Sequence, residues 1–393
     1  MTQLPQYNRD LQVRPIAPDE LSTARLLAGR AFGEDCQTWF GDTCLAGFDV
    51  DGRMVCVLDY DPASMWWGTA SIPAAAIGGV ATDPEHQSRG HAGGLMVQTI
   101  HLLREQGRCV CPLWPFSFAW YGKFGWSCPA TVATLRLWPD LVRRTAAAVG
   151  TVRAAVADDE PEIDRLYTAC AQSRNCQSVR TASSWQEKRW LGEVWVLEGA
   201  ADGLACSALV SIRPVHRGQG KKVVVREFHG VDLSAQLSLV RSLAELDDVS
   251  VIELNVPPDS LFLHAFAERI SISAEHELAL RVLDVPQALS HLQPPADLQA
   301  CVSFEVADWV VDPERPQTVT VRASNGAVEL LDSHSQDPFR CDIRTFTQLF
   351  AGGLCVTQAR KLNRLEGGNA AMAAACDALL YGRMPYRSGA EAG

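Results

Sequence analysis

The pattern of hydrophobic positions predicts a strand followed by a helix at the start of the chain. Residues 11–16 alternate between apolar and polar side chains, as in a half-buried strand. Residues 21–31 then repeat apolar side chains at helical spacing. A turn at residues 49–52 separates two further extended runs, which predicts an antiparallel strand pair.

Residues 77–126 form the central segment of the first 150 residues. It opens with a small apolar strand, residues 77–81, and a polar loop over residues 85–92 then leads into a helix that ends at Gly107. A glycine-containing loop at a helix N-terminus directs several backbone N–H groups to one point, where the helix dipole adds positive potential. The loop is therefore predicted to bind a pyrophosphate.

The hydrophobic pattern starts again near residue 150. Residues 152–163 repeat the pattern found at the start of the chain, a strand followed by a helix with acidic residues at its N-terminus. The strands predicted after them indicate a second mixed sheet. Residues 214–220 are glycine-rich and basic, but a strand follows them and not a helix. They are predicted to form a hairpin turn, so the second unit is not expected to bind a phosphate.

A third region follows the Pro294-Pro295 linker, with alternating strands and then amphipathic helices. The predicted fold is α/β (α+β), with two tandem mixed sheets and a smaller C-terminal α/β domain. The predicted domains are residues 1–150, residues 151–290 and residues 291–393.

Composition and charge exclude several classes of protein. The chain has 393 residues, 47% of them apolar, and a net charge of −11, which argues against nucleic acid and anionic membranes as partners. No apolar run is long enough to span a membrane, and the polar start is not a signal peptide. Thirteen scattered cysteines and nine histidines without ligand spacing predict free thiols, no metal site and a cytoplasmic location.

Two motifs carry a resemblance to a known family. Gln87, Gly90 and Ala92 fit the pattern Gln/Arg-x-x-Gly-x-Gly/Ala, the pyrophosphate signature of the GNAT N-acetyltransferases, and a Tyr-Gly-Lys-Phe-Gly segment begins at Tyr121. With a second, degenerate GNAT-like unit and a sterol-carrier-protein-like C-terminal domain, the chain resembles the Eis (enhanced intracellular survival) family. The resemblance implies acetyl-CoA as co-substrate, a small-molecule amine as acceptor, and a homo-oligomer, typically a hexamer.

The resemblance also implies roles for particular residues. The first motif strand pairs with the pantetheine arm, and the loop holds the pyrophosphate. Tyr121 is implied to be the general acid, although a tyrosine there can also simply pack beneath the strand end. The carboxylate of the final residue, Gly393, is implied to be the general base, with Glu391 as the alternative, whereas the composition of the tail is by itself typical of a frayed terminus. The predicted cofactor-binding residues are Val80, Ala81, Thr82, Gln87, Ser88, Arg89, Gly90, His91, Ala92, Gly93, Phe116 and Ser117.

The acceptor is the least determined part of the interpretation. Glu34 and Asp35 can bind an ammonium group or form a solvated helix end. Trp39, Trp114 and Phe116 can line the acceptor site or belong to the core. Residues 114–120 are strongly aromatic where aminoglycoside-acetylating relatives carry small and acidic residues. An aromatic wall favours a flat or amphipathic amine over a polycationic sugar.

Three functions of different class are compatible with these patterns. The first is an acetyl-CoA-dependent N-acetyltransferase, by direct attack of an aminoglycoside-like or other amine. The second is a lipid or hydrophobic-ligand binding protein that uses the last domain. The third is a catalytically degenerate GNAT scaffold. The intact Gln87, Gly90, Ala92 and Tyr121 favour the enzyme.

Overall fold

The structure, a computed structural model, falls into two compact units, which are described separately. The first unit combines residues up to 65, residues 70–129 and residues 278–382, and the second combines residues 66–69, residues 130–277 and residues 383 onwards. The residues that the structure describes are 7–33, 40–41, 43–147, 149–188, 191–199, 203–215, 220–266, 268–332, 335–388 and 390–391.

The first part of the chain forms the predicted series of strand, helix, two strands, motif strand, helix, strand and helix. Its strands are β1 (Gln12–Pro15), β2 (Leu45–Phe48), β3 (Met54–Trp67), β4 (Ala70–Thr82) and β5 (Val110–Leu113). Its helices are α1 (Leu21–Phe32), α2 (His91–Glu105) and α3 (Phe118–Gly122). β1 to β3 are antiparallel neighbours, whereas β4 and β5 are parallel. The apolar face of α1 is buried through Ala24, Leu27 and Ala28, as its spacing predicts.

The second unit contains one sheet in the order β13-β6-β12-β11-β10-β9-β7. Its strands are β6 (Val132–Leu137), β7 (Val152–Ala154), β8 (Asn175–Ser178), β9 (Glu193–Glu198), β10 (Leu204–Pro214), β11 (Lys221–Gly230), β12 (Val249–Val256) and β13 (Ser271–Glu275), of which β8 lies outside this sheet. Its helices are α4 (Pro139–Thr145), α5 (Glu160–Ala171), α6 (Ala182–Lys188), α7 (Leu233–Leu243) and α8 (Phe262–Ala265).

The strands on either side of the predicted hairpin turn, β10 and β11, pair antiparallel from Pro214 and Lys221, whereas residues 216–219 of the turn lie outside the residues that the structure describes. α7 packs on one face of the sheet, where Leu239 joins Ala208 and Val225 in the core. On α5, Ile163 and Leu166 pack instead with Val196 and Leu204.

Residues 278–382 belong to the first unit. Its strands are β14 (Ala279–Val282), β15 (Ala300–Asp308), β16 (Asp312–Ser324), β17 (Ala327–Leu331) and β18 (Phe339–Asp342), and its helices are α9 (Val285–Ser290), α10 (Ile343–Ala351), α11 (Val356–Lys361) and α12 (Ala370–Leu380). β15 to β18 form a four-stranded sheet in the order β17-β16-β15-β18. None of the helices in the described part of the chain is long and apolar enough to span a membrane.

Two strands do not follow the predicted division at residues 150 and 290. β6 comes from the predicted first domain but pairs with β12 and β13 of the second sheet. β14 comes from the predicted second domain but pairs with β5 of the first sheet. The hydrophobic pattern of a short strand shows that it is buried and not which sheet it joins, so the spacing along the chain misplaced both strands. The three-domain division itself stays a prediction.

Candidate active site

The first feature of the candidate site is the divergence of β4 and β5. The two strands pair in parallel at Ala74 with Val110 and at Ile77 with Leu113, where β5 ends. β4 continues past this point to Thr82. Backbone N–H and C=O groups on that side of the extended part of β4 can therefore pair with an extended ligand chain, as an added strand would.

Gly79 gives this part of β4 its irregular course. Its φ is +58°, in the left-handed region that glycine adopts most readily. A Cβ at this position would lie 2.9 Å from Cζ of Phe40, which is too close for any larger residue. The glycine therefore allows both the bend in β4 and the close approach of Phe40.

The second feature is the N-terminus of α2. Gly90 precedes the helix with φ +79°, and a Cβ there would lie 2.9 Å from the backbone nitrogen of Asn8. No side chain in the described part of the chain caps this helix end. The backbone N–H groups of its first turn therefore remain available to an anion, and the helix dipole favours negative charge at the same place.

The loop before α2 is held by an ion-pair network. Asp83 accepts a hydrogen bond from the backbone N–H of Glu85 at 2.9 Å, and Arg30 on α1 donates to both carboxylates at 2.9 Å. Gln87 and Arg89 are exposed, and the Arg89 guanidinium donates to the carbonyl of Glu85 at 3.1 Å. The loop is thus fixed at its start and presents polar side chains to solvent beside the helix end.

The side chain of His91 packs inside this loop and does not face a ligand. Its ring is buried and lies 3.1 Å from the side-chain amide nitrogen of Asn8. Burial, with the nearby positive charges of His86 and Arg89, lowers the pKa of His91. The ring is therefore neutral at pH 7, and what His91 offers an anion is its backbone N–H at the first position of α2.

Tyr121 lies on α3, one helical turn after Ser117. The Ser117 hydroxyl caps this helix by accepting from the backbone N–H of Trp120 at 3.2 Å. The Tyr121 ring is 4% exposed and packs edge-on against Trp120, with centroids 4.8 Å apart, and against Trp126. Burial raises the pKa of Tyr121 to about 12. The phenol is therefore protonated at neutral pH and can act as a proton donor.

A direct contact joins the helix end and the tyrosine segment. A Cβ on Gly93, in the first turn of α2, would lie 3.3 Å from Cζ of Phe124. Phe124 is buried three residues after Tyr121, and its backbone N–H donates to the Tyr121 carbonyl at 2.9 Å. The first unit thus brings the predicted pyrophosphate loop and the predicted general acid into one local structure.

Comparisons with known proteins identify this local structure. Residues 12–128 match the acetyltransferase (GNAT) domain family, and residues 285–388 match the sterol carrier protein domain family. An uncharacterized N-acetyltransferase from Streptomyces griseus is 24% identical, over 96% of this chain and 98% of its own length. Residues 12–128 are thus a GNAT acetyltransferase domain, and the chain, in which a sterol carrier protein domain follows, resembles N-acetyltransferases.

Solved structures share the fold of this acetyltransferase over nearly its whole length. A GCN5-related N-acetyltransferase from Anabaena variabilis has a TM-score of 0.86 at 17% identity, covering 96% of this chain and 99% of its own. Eis1 from Mycobacterium abscessus has a TM-score of 0.76 at 21% identity, covering 96% and 99%. These structures confirm the predicted fold class, and the domain matches support the predicted Eis-like GNAT family. A GNAT fold also implies acetyl-CoA as the co-substrate.

The residues of the GNAT site fit acetyl-CoA. Val80 and Thr82 are half-buried on the extended part of β4, where a pantetheine chain can pair, and Ala81 between them is buried. The uncapped first turn of α2 suits the pyrophosphate. Within the described residues, no group of three or more His, Cys, Asp or Glu side chains could hold a metal ion.

The predicted acceptor residues are only partly described. Glu34, Asp35, Trp39 and the terminal Gly393 lie outside the residues that the structure describes. Trp114 is half-buried, and Phe116 is 74% exposed with its ring 5.4 Å from that of Tyr121. Among the described members of this group, Phe116 is the residue whose ring lies beside Tyr121.

A buried ionic cluster in the second unit of the acetyltransferase escaped the sequence interpretation. Arg180 forms paired hydrogen bonds with Glu227 at 2.7 and 2.6 Å, and it also binds Glu391. Glu391, the alternative base, accepts from Ser178 as well, so its carboxylate is already bound. The sequence contained one indication of this cluster. On β11 every second residue from Val223 onwards is buried, and Glu227 and His229 occupy two of these buried positions.

Proposed function

We propose that this acetyltransferase moves the acetyl group of acetyl-CoA directly to a primary amine of a small molecule, in a complex that holds both substrates. The observation that supports the proposal is the presence of three features in the first unit: the extended edge of β4, the uncapped start of α2 and the protonated phenol of Tyr121. The first two suit the arms of acetyl-CoA, and the third suits its leaving sulfur.

The proposed reaction needs two proton transfers. The amine nitrogen attacks the thioester carbon, the carbon–sulfur bond breaks, and the electron pair of that bond goes to sulfur. Tyr121 Oη then gives its proton to sulfur, while a base removes the surplus proton from the amine. A base is useful because an alkyl amine with a pKa of about 10.4 is neutral in only about one molecule in a few thousand at pH 7. We assign that role to the terminal carboxylate of Gly393.

The acceptor is proposed to be a flat or amphipathic amine. The exposed Phe116 ring beside Tyr121 offers an apolar surface with a ring face that can attract a cation. Glu34 and Asp35 are proposed to bind the ammonium group, and Trp39 and Trp114 to line the acceptor site. An aminoglycoside-like polycation is the second choice, since it offers no apolar body to this surface.

The test is a thiol-release assay with acetyl-CoA and a panel of amines. Tyramine and tryptamine represent flat amines, and kanamycin represents the polycationic sugars. The proposal expects CoA release with equimolar N-acetyl product, and higher kcat/KM for the flat amines. CoA release no faster than spontaneous hydrolysis with every amine would refute acetyl transfer, whereas a preference for kanamycin would refute only the choice of acceptor.

The sterol carrier protein domain favours lipid binding as a second candidate function. Its interior, however, is occupied by packed rings. Phe304 and Phe346 lie edge-on with centroids 5.2 Å apart, and Phe346 stacks on Phe350 at 6.0 Å. Titration with a fluorescent fatty acid tests the alternative, and saturable micromolar binding would support it independently of acetyl transfer.

We also propose that the enzyme is a homo-oligomer, most simply a hexamer, on the strength of its family resemblance. Light scattering at micromolar concentration measures this directly. A mass near the 42.8 kDa of one chain would refute the proposal.

A further inference from the structure

The second unit contains a cavity that the acetyl transfer described above does not use. Its volume is about 640 Å³, within the range of about 300–1,000 Å³ that is usual for small-molecule sites. Its walls come from β7, the start of α5, the start of α6 and the α5-covered face of the sheet. Apolar side chains, among them Val156, Ile163, Trp185 and Leu209, supply much of the lining.

The floor of the cavity carries two buried polar groups. Ser207 on β10 lies directly opposite His229 on β11, and Leu209 lies directly opposite Glu227. Ser207 is 1% exposed and His229 is 9% exposed. Neither Ser207 Oγ nor His229 Nε2 has a hydrogen-bond partner within the described part of the chain. Buried polar groups are nearly always satisfied, so a ligand or an ordered water is expected to complete these two.

His229 offers the cavity a donor. Burial lowers its pKa, but the nearby Cys170 and the carboxylate of Glu227 outweigh this and raise the pKa of His229 to about 9. Both ring nitrogens are therefore protonated at pH 7. Nε2 lies 3.5 Å from Glu227 Oε1, close enough for attraction but without an aligned hydrogen bond. The floor thus presents an N–H and a hydroxyl to the cavity, a pair that suits a carbonyl oxygen.

The charges at the floor are held in a buried cluster. Arg180 is paired with Glu227 and Glu391, and its side chain is fully buried. Arg387 is buried in the same cluster, where it interacts with Glu391 and Arg180. The exposed charges at the mouth of the cavity are therefore the ones that an entering ligand meets first.

The mouth is acidic, and one of its walls is aromatic. Glu160 and Asp164 are exposed and lie one turn apart on α5, so both reach the same opening. Asp164 accepts a hydrogen bond from Trp185 Nε1 at 3.0 Å, which fixes the indole ring as a wall. A ligand whose positive end lies at this mouth gains electrostatic attraction while its body contacts the indole ring.

We propose that this cavity binds a small amphipathic amine: a carbonyl oxygen at the floor between Ser207 and His229, an apolar body against Trp185, and an ammonium group at the mouth near Glu160 and Asp164. The proposal does not depend on acetyl transfer, and binding is measured without acetyl-CoA. Anionic molecules of the same shape are excluded by the acidic mouth.

The test is calorimetric titration of the full-length protein with three probes that share one body and one carbonyl group. 4-(2-Aminoethyl)benzamide is a cation, 4-ethylbenzamide is neutral and 3-(4-carbamoylphenyl)propanoate is an anion, and each carries its carboxamide at one end of the ring and its variable group at the other. Affinity is expected to fall in that order. Two results would overturn the proposal. No measurable heat from any probe at millimolar concentration would mean that water alone fills the cavity. Equal affinity for the cation and the anion would mean that the acidic mouth does not select the ligand.

Variants assign the binding to this cavity. Asp164→Asn keeps the acceptor for Trp185 but removes a charge, and should weaken binding of the cation by about two- to fivefold while leaving the neutral probe unchanged. Asp158→Asn, an exposed acid outside the lining, is the matched control and should change neither. Ser207→Leu should abolish binding of the cation and the neutral probe, with circular dichroism confirming the fold. Equal effects of Asp164→Asn and Asp158→Asn, or unchanged binding in Ser207→Leu, would place the probes elsewhere and overturn the proposal.

Discussion

Arg180 donates two hydrogen bonds to the carboxylate of Glu391, from Nε at 2.9 Å and from Nη2 at 2.6 Å, only two residues before the end of the chain. The same guanidinium holds Glu227, which also accepts from the hydroxyl of Ser388. Tyr386 is buried nearby, with its backbone N–H donating to Asn175. The C-terminal segment is therefore anchored in the second unit by buried polar contacts, although it carries few apolar residues.

The ionic cluster predicts a dependence of stability on pH. The pKa of His229 in the folded protein, about 9, lies above its unfolded value of about 6.5. Its contribution is therefore complete below pH ~6.5 and is lost as the pH rises to about 9, by on the order of 3 kcal/mol. Cys170 offsets part of this loss: burial raises its pKa, but His229 lowers it overall, so its contribution grows as the pH rises towards the unfolded value of about 8.5 and is complete above it.

Denaturant unfolding between pH 6.5 and 8.5 measures the effect. The free energy of unfolding should fall with pH in the wild type, and His229→Gln should remove most of the slope. His264, exposed on α8, provides the matched control, and His264→Gln should leave the slope unchanged. A wild-type slope that persists in His229→Gln would show that other groups cause it.

Gly90 should be essential for binding acetyl-CoA. Gly90→Asp places a carboxylate where the pyrophosphate is expected, and its Cβ meets the backbone of Asn8 at 2.9 Å. Because a bound phosphate and a carboxylate repel each other, we expect the affinity for CoA to fall at least tenfold, about 1.4 kcal/mol. Gly52→Asp is the control, since Gly52 has a similar φ of +75° and no atom within 4 Å of the new Cβ. Calorimetry with CoA that finds equal affinities in the two variants would place the cofactor elsewhere.

Tyr121→Phe should separate proton donation from packing. The ring and its contacts with Trp120 and Trp126 remain, so the fold and the affinity for acetyl-CoA should not change. The value of kcat should fall by about 10²–10⁴-fold, the usual contribution of a positioned proton donor. Tyr60→Phe removes a hydroxyl that accepts only a surface contact from Gln106, and should leave kcat unchanged. If kcat of Tyr121→Phe stays within about twofold of the wild type, the tyrosine only packs in the core.

The features that the sequence predicted well are local ones. The strand, loop and helix around Gly90 follow from apolar spacing and from one glycine at a helix start. The features that it did not predict join residues far apart in the chain. Arg281 and Asp308 form a fully buried ion pair at 2.9 Å between β14 and the end of β15, and no spacing rule marks either residue as buried. Pairing between distant strands depends on the whole sheet, so local pattern cannot assign it.

The final prediction concerns the terminal carboxylate of Gly393 as general base. A free tail after Tyr386 would span roughly 23–25 Å when extended. The anchoring of Glu391 leaves only two residues, about 7 Å of chain, to place the carboxylate. If this carboxylate is the base, its position relative to Glu391 must be set closely, because proton transfer requires hydrogen-bond distance.

Two variants move the carboxylate and leave the anchor in place. One lacks residues 392–393 and ends at Glu391, and the other carries a few residues added after Gly393. Both should lose about 10²-fold or more in kcat with the affinity for acetyl-CoA unchanged, because the Arg180 contacts remain and only the base is displaced. A third variant, Glu391→Gln, keeps the terminal carboxylate but weakens the contact between residue 391 and Arg180. A smaller loss of kcat is therefore expected. Turnover equal to wild type in both the shortened and the extended protein would show that the terminal carboxylate takes no part, and the base would then have to be sought among the acceptor-site residues.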